Sequence, residues 1–267
     1  MIIDIHTHAF PDDLADRAIR HLTYGNTIPV YSDGTCDGLV ASMSDACVDF
    51  SVIMPIATKP SQVRGINQWA SDVNRRYGNL HSFGTLHPLM DDWEDEVAAL
   101  VHDGIKGVKL HPDYQNFFVD EPEMMDKYRC IADAELILML HAGIDIGLPE
   151  PVHCMPDRLS NMLDAVPDLI VIAAHMGGYK CWEDVKKHLA GRNVYFDTSY
   201  SLSDMGPEQM VSLVRAHGAD RVMFGTDSPW TDMKLEVDAF RALPLSSDEL
   251  GAVMGGNAER LLWKHAG

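Results

Sequence analysis

What the 267-residue chain lacks narrows its function early. No stretch approaches the roughly 20 consecutive apolar residues that cross a bilayer, so no membrane is expected as a partner. The N-terminus, MIIDIHTHAF, has neither a basic n-region nor a long apolar core and does not read as a signal peptide. Basic residues are scarce. Lys and Arg number 21 against 40 Asp and Glu, a net charge of −19 that argues against nucleic acid or an anionic surface as partner. A small anionic substrate stays compatible, because a metal and one or two lysines make a pocket locally positive. The five cysteines, Cys36, Cys47, Cys130, Cys154 and Cys181, are odd in number and lack CxxC spacing. They read as reduced thiols of a cytoplasmic protein, not as a disulfide framework or a zinc ribbon. No GxGxxG follows the first apolar run, and no repeat, low-complexity tract or linker divides the chain. A single domain over residues 1–267 is expected, and a charged share of 23% beside 46% apolar residues is an ordinary globular balance.

What the chain has is a series of short apolar runs separated by segments of helical period. The runs predict strands at Met1–Ile5, Ser51–Ile56, Leu80–Leu86, Gly107–Leu110, Leu136–Leu140, Leu169–Ala174, Val194–Phe196 and Arg221–Phe224. They are near-continuous in Val, Ile, Leu and Met, as strands buried on both faces of a parallel sheet are. Helices are expected at Ser61–Tyr77, Trp93–Asp103, Glu121–Asp133, Asp157–Val166, Trp182–Leu189 and Pro207–Ala216. Long loops are expected at Thr23–Cys36 and Asp113–Pro122, with a closing helical stretch at Ser246–Trp263 broken at Gly255-Gly256. Eight strands alternating with helices in about 250 residues is the pattern of a closed (β/α)8 TIM barrel, favoured over an open doubly wound sheet.

The polar residues sit where such a barrel would use them. His6 and His8 follow the first run, and residues at i and i+2 share one face of a strand. His141 ends LILMLHA, His175 ends LIVIAAHMGG and Asp227 ends RVMFGTD. In a parallel barrel all these strand ends converge on one mouth, where the active sites of this architecture lie. Imidazoles with a carboxylate suit Zn2+ first, and also Mn2+ or Fe2+. A single histidine or an HxH pair means little; the coincidence of five such groups at strand ends carries the reading.

These same motifs, IDIHTH, the single His after the fifth strand, HMGG after the sixth and FGTDSPW after the eighth, resemble the amidohydrolase superfamily. The resemblance is strongest to its "amidohydrolase 2" group, which includes aminocarboxymuconate-semialdehyde decarboxylase; GNAERLL at Gly256–Leu262 fits that group's closing helix. It spans the whole chain. It implies one divalent metal held by His6, His8 and His141 with Asp227 as fourth ligand, and a catalytic role for His175 on water or substrate, with Asp227 shuttling the proton. In binuclear members a lysine at the fourth strand end is carboxylated and bridges two metals, and Lys109 stands there. The reading favoured here is that Lys109 binds a substrate carboxylate. His111, Tyr114 and Gln115 are candidate substrate contacts on the following loop, and Trp230 a candidate pocket wall. Asp4 is expected to hydrogen-bond low in the barrel, and Asp197, Thr198 and Ser199 to orient a ligand histidine.

The expected activity is a metal-dependent hydrolase of a small amide, ester or lactone, using metal-activated water with His175 as general base. The alternative is a non-oxidative decarboxylase of an unsaturated or aromatic carboxylate. Two departures favour the former: the chain is shorter than the decarboxylases it resembles, and Arg64, Arg75 and Arg76 fall in a predicted helix, where they match no substrate-gripping arginine. The expected partner is a small molecule carrying a carboxylate; a homodimer is compatible with the sequence, which does not determine the oligomeric state.

Overall fold

Strands formed by Val, Ile and Leu runs cannot leave either face in water, so they pair in parallel and close under a coat of helices. The computed structural model describes residues 1–23 and 28–263. β1 (Ile3–Thr7), β2 (Phe50–Ile53) and β3 (Leu80–Ser82) pair in parallel in that order. A second parallel run comprises β4 (Gly84–Thr85), β5 (Gly107–Leu110), β6 (Ile137–Leu140), β7 (Val171–Ala173), β8 (Tyr195–Asp197) and β9 (Val222–Met223). β3 and β4 are halves of one stave bent at Phe83, whose N–H still donates to Ile53 O at 3.0 Å. At the other seam Ile5 N–H donates to Phe224 O at 2.9 Å and Asp227 N–H to His6 O at 2.8 Å. These bonds join β9 to β1, and the eight staves form a (β/α)8 barrel. Within it Ile137 and Met139 pack with Val52, Phe83 and Ile172, while Leu138 and Leu140 face the helices. That alternation gives the barrel a filled interior, not a pore.

The expected helices all form within two residues of their predicted limits, among them Val63–Arg76, Trp93–His102 and Pro207–His217. A further helix, Cys36–Ala46, is started by Thr35, whose hydroxyl accepts from Gly38 N. The expected loop at Thr23–Cys36 falls partly on residues 24–27, outside the described residues; residues 28–35 carry no helix or strand. The other expected loop opens with one helical turn, Pro112–Gln115.

Two expectations change. The predicted break at Gly255-Gly256 is a π turn, Ala252–Gly256, inside a helical stretch from Ser247–Gly251 to Asn257–Trp263. Val253 O accepts Phe224 N–H at 2.9 Å, and a Cβ on Gly255 would lie 2.7 Å from Met1 O. The glycine therefore lets the closing helix rest on the start of β1. The second change concerns β1, which runs on to Thr7, so His6 lies inside the strand. Its register on β2 slips between Asp4 and Thr7, so Asp4 and His6 need not share a face as strict alternation would require. Asp4 instead accepts from His6 N, Thr226 N and Thr226 Oγ.

Candidate metal centre

The mouth of the barrel is organised by one buried carboxylate. Asp197, at the end of β8, accepts from His6 Nδ1 at 2.9 Å through Oδ2. Through Oδ1 it accepts from the backbone N–H of His175 and of Ser199, each at 3.0 Å. Burial alone would raise its pKa, but the His6 and His175 imidazoles and the Ser199 hydroxyl bring it down to about 2. The Asp197 bond places the proton of His6 on Nδ1 and leaves Nε2 as a lone pair. Burial, with the nearby Lys109 ammonium, pushes His6 down to about 4, so near neutral pH it is an uncharged donor ligand.

His6 Nε2 lies 3.4 Å from Asp227 Oδ1, and His8 Nε2 lies 3.1 Å from the same oxygen. The candidate ligand atoms of His6, His8 and Asp227 all fall within 4.8 Å of one another. Burial would raise the Asp227 carboxyl, but the two histidines outweigh it and hold it well below the usual carboxylate range. Two imidazoles and an ionised carboxylate form a donor set that fits a divalent transition metal.

His175 sits beside this trio, its ring centroid 5.3 Å from that of His6. Its Nδ1 is 3.0 Å from Ser199 O, a carbonyl that can only accept, so Nδ1 carries the proton and Nε2 is a lone pair. That lone pair faces His141 Nδ1 at 3.2 Å, while His141 Nε2 is buried without a hydrogen-bond partner. An unpaired buried nitrogen is costly, by about 1–3 kcal/mol, and a bound cation is one way to satisfy it. The backbone is strained here. His175, Met176 and Gly177 take φ of 58°, 56° and 82°, and Asp227 takes 70°. Such conformations persist where the surroundings enforce them. Asp197 enforces the first run, since its carbonyl also accepts Met176 N–H at 2.7 Å.

Not every expected residue reaches this centre. His141 does not group with His6, His8 and Asp227; it stacks on His111 at 4.1 Å between ring centroids and groups with His111 and Asp145. Lys109 does reach it: with its neighbours Val108 and Leu110 turned to the helices, it is 1% exposed and puts Nζ 3.4 Å from His6 Nε2, at the floor of the site. Burial brings its ammonium down to about 8. Gln115 is turned away. Its Nε2 donates to Ala57 O and Leu86 O at 2.9 and 2.7 Å, and its Oε1 accepts His111 N–H, so the whole amide is spent tying loop ends together. Arg64 pairs with Asp92 and Glu96 on the outer surface.

A cavity of about 690 Å3 opens over the centre, and His111, Tyr114 and Trp230 are among the residues that line it. Much of its wall, including Leu14, Leu22, Ile66 and Trp69, comes from helices Asp12–Thr23 and Val63–Arg76, with Phe10 just before the first; sequence reasoning did not connect these to the site. Asp145 was also missed. Its only signal was an acidic residue four positions after a strand-end histidine.

Comparison with known proteins agrees with this architecture. The family model described as Amidohydrolase matches residues 3–263. Gamma-resorcylate decarboxylase of a Polaromonas species is 26% identical over 132 residues, 43% of this chain, and the match spans only 40% of that relative. An uncharacterised TIM-barrel protein from Bordetella bronchiseptica superposes with a TM-score of 0.76 at 20% identity, covering 98% of each chain. A 5-carboxyvanillate decarboxylase from Novosphingobium aromaticivorans with bound manganese gives 0.74 at 16% identity, covering 98% of this chain and 97% of that one. The two relatives above that are named for an activity are decarboxylases, which overturns the expected hydrolysis of an amide, ester or lactone; neither name specifies zinc. The strand ends, the (β/α)8 closure and a family model that covers nearly every residue lead to one conclusion: the chain belongs to the amidohydrolase family.

Proposed function

We propose that this protein is a metal-dependent, non-oxidative decarboxylase of an aromatic or unsaturated carboxylate. The observation that carries the reading is a buried cation, Lys109, beside a His6–His8–Asp227 cluster at the floor of a largely apolar cavity. The activity named for the Polaromonas relative supports it. Decarboxylation needs this pairing, an electropositive point for the departing carboxylate and a dry surface for the carbon skeleton.

His6, His8 and Asp227 would hold a divalent ion, Zn2+ or Mn2+, and His141, which stands outside that group, has a buried, unpartnered Nε2 that the ion would satisfy. When bound, that ion supplies positive charge for substrate oxygen and for the negative charge that develops in the transition state. Lys109 draws the carboxylate to the floor. The bond from carbon to carboxylate breaks and its electron pair stays on carbon; Nε2 of His175, having first taken up a proton from solvent, passes it to that carbon in place of the carbon dioxide. The Ser199 carbonyl keeps Nδ1 of that ring protonated, so Nε2 is the atom that exchanges the proton. Trp230 and Tyr114 close the wall and keep water from the site.

A second reading is favoured by the same burial. An amine brought down to about 8 beside His6 is suited to carboxylation and to bridging two ions. Elemental analysis near two metal equivalents would select it, and near one would reject it. The test of the reaction is incubation of metal-loaded protein with benzoates and unsaturated acids, followed by mass spectrometry. Loss of the mass of carbon dioxide is expected, and gain of the mass of water would overturn the proposal.

A further inference from the structure

The reacting floor of the cavity leaves its far wall unexplained, and that wall carries one charge. The lysine and carboxylate side chains that line the cavity, among the described residues, are Lys109, Asp145 and Asp227. Lys109 and Asp227 belong to the floor. Asp145 lies on the loop after β6, two stacked imidazole rings removed from His175, and its side chain is 15% exposed to the cavity.

Its orientation is imposed. The Asp145 Oδ1 accepts Gly147 N–H at 2.7 Å, and Oδ2 lies 3.1 Å from His111 Nε2. His111 Nδ1 accepts Tyr114 N–H at 3.3 Å, so the proton of this ring is on Nε2, beside the Asp145 carboxylate. An ionised carboxylate has about four lone-pair positions, and one is filled by the Gly147 N–H. Asp145 lines the cavity and, among the described residues, accepts no further hydrogen bond.

We infer that Asp145 determines specificity, accepting a hydrogen bond from a hydroxyl or amine on the substrate and excluding a second carboxylate. The inference rests on the decarboxylase reading for the reacting end of the substrate. A donor placed there makes a charge-assisted bond, whereas a second anion meets a like charge in an apolar surround where it is poorly screened. Phe10, Leu14, Ile66, Trp69 and Ile144 offer the rest of the substrate only apolar surface. The substrate class is therefore a monocarboxylate with a flat apolar body and one hydrogen-bond donor at its far edge.

The test is equilibrium binding to metal-loaded protein, by calorimetry, of benzoate, the three monohydroxybenzoates, the three aminobenzoates and isophthalate. At least one hydroxy or amino isomer is expected to bind tighter than benzoate by roughly 10-fold or more, as for a bond to a charged group, with isophthalate weakest. Asp145→Ala should erase that preference, and Asp145→Asn should raise isophthalate affinity; melting curves confirm that both variants fold. A preference that survives both substitutions, or a wild-type protein that ranks isophthalate with the hydroxybenzoates, overturns the inference. Because the readout is binding, discrimination without any release of carbon dioxide would refute the decarboxylase reading while upholding Asp145.

Discussion

Burying Lys109 beneath His6 costs stability, and replacing its ammonium with the near-isosteric thioether in Lys109→Met is expected to recover that stability. The folded protein holds this amine at about 8 against 10.5 for a free lysine, through desolvation, and the value is already net of attraction to Asp197 and Asp227. A base whose folded pKa is lowered loses stability wherever both states are protonated, so the penalty is complete below pH 8 and relieved between pH 8 and 10.5. The difference of about 2.5 units corresponds to about 3 kcal/mol at neutral pH, using 1.36 kcal/mol per unit. Urea unfolding of metal-free protein with chelator present measures it. The midpoint should rise at pH 7 with an unchanged slope, and the gain should shrink as the pH approaches 10.5. The same variant should weaken substrate binding, a trade of stability for function. A variant less stable than wild type at pH 7, or a gain equal at pH 7 and 10.5, would refute the reasoning.

Other expectations follow from the same geometry. His175→Asn should keep its metal and lower kcat by about 10² to 10⁴, the usual worth of general acid–base help, whereas His141→Ala should lose metal affinity; the reverse pattern, read by elemental analysis and kinetics, would exchange the two roles. Asp197→Asn offers His6 Nδ1 a poorer acceptor and should weaken metal binding by roughly 10- to 100-fold, measured by competition with a chelating dye. Metal-free protein should lose stability as the pH falls from 6.5 to 4. Buried His6 resists protonation until about 4 while the unfolded chain takes up its proton first, worth about 3 kcal/mol in a pH series of melting curves. A flat stability profile across that range would remove His6 as the cause.

Much of the barrel was legible because its period is short and repeated. Runs such as LILML and LIVIAA leave no polar face, and that pattern belongs to strands covered on both sides. The candidate ligands were legible for a related reason, since a charged or imidazole side chain at the end of such a run has only the barrel mouth to occupy. Gln115 was misread because polarity on a loop marks a substrate contact and a backbone clasp equally, and three hydrogen bonds in space decide between them.

Chain order by itself determined the eight staves, the closing helix and the arrival of His6, His8, His141, His175 and Asp227 at one end, because each depends on local period and strand direction. Only the tertiary structure decided which of these groups meet. The slip in β1, the left-handed run at His175–Gly177 and the grip of Asp197 on two segments far apart in sequence set distances of a few ångströms. Those distances bring His8 to Asp227, turn His141 toward His111 and set Asp145 against the cavity. Contacts between residues 22 to 219 positions apart have no signature in a single chain's periodicity, and it is these contacts that separate a metal ligand from its neighbour.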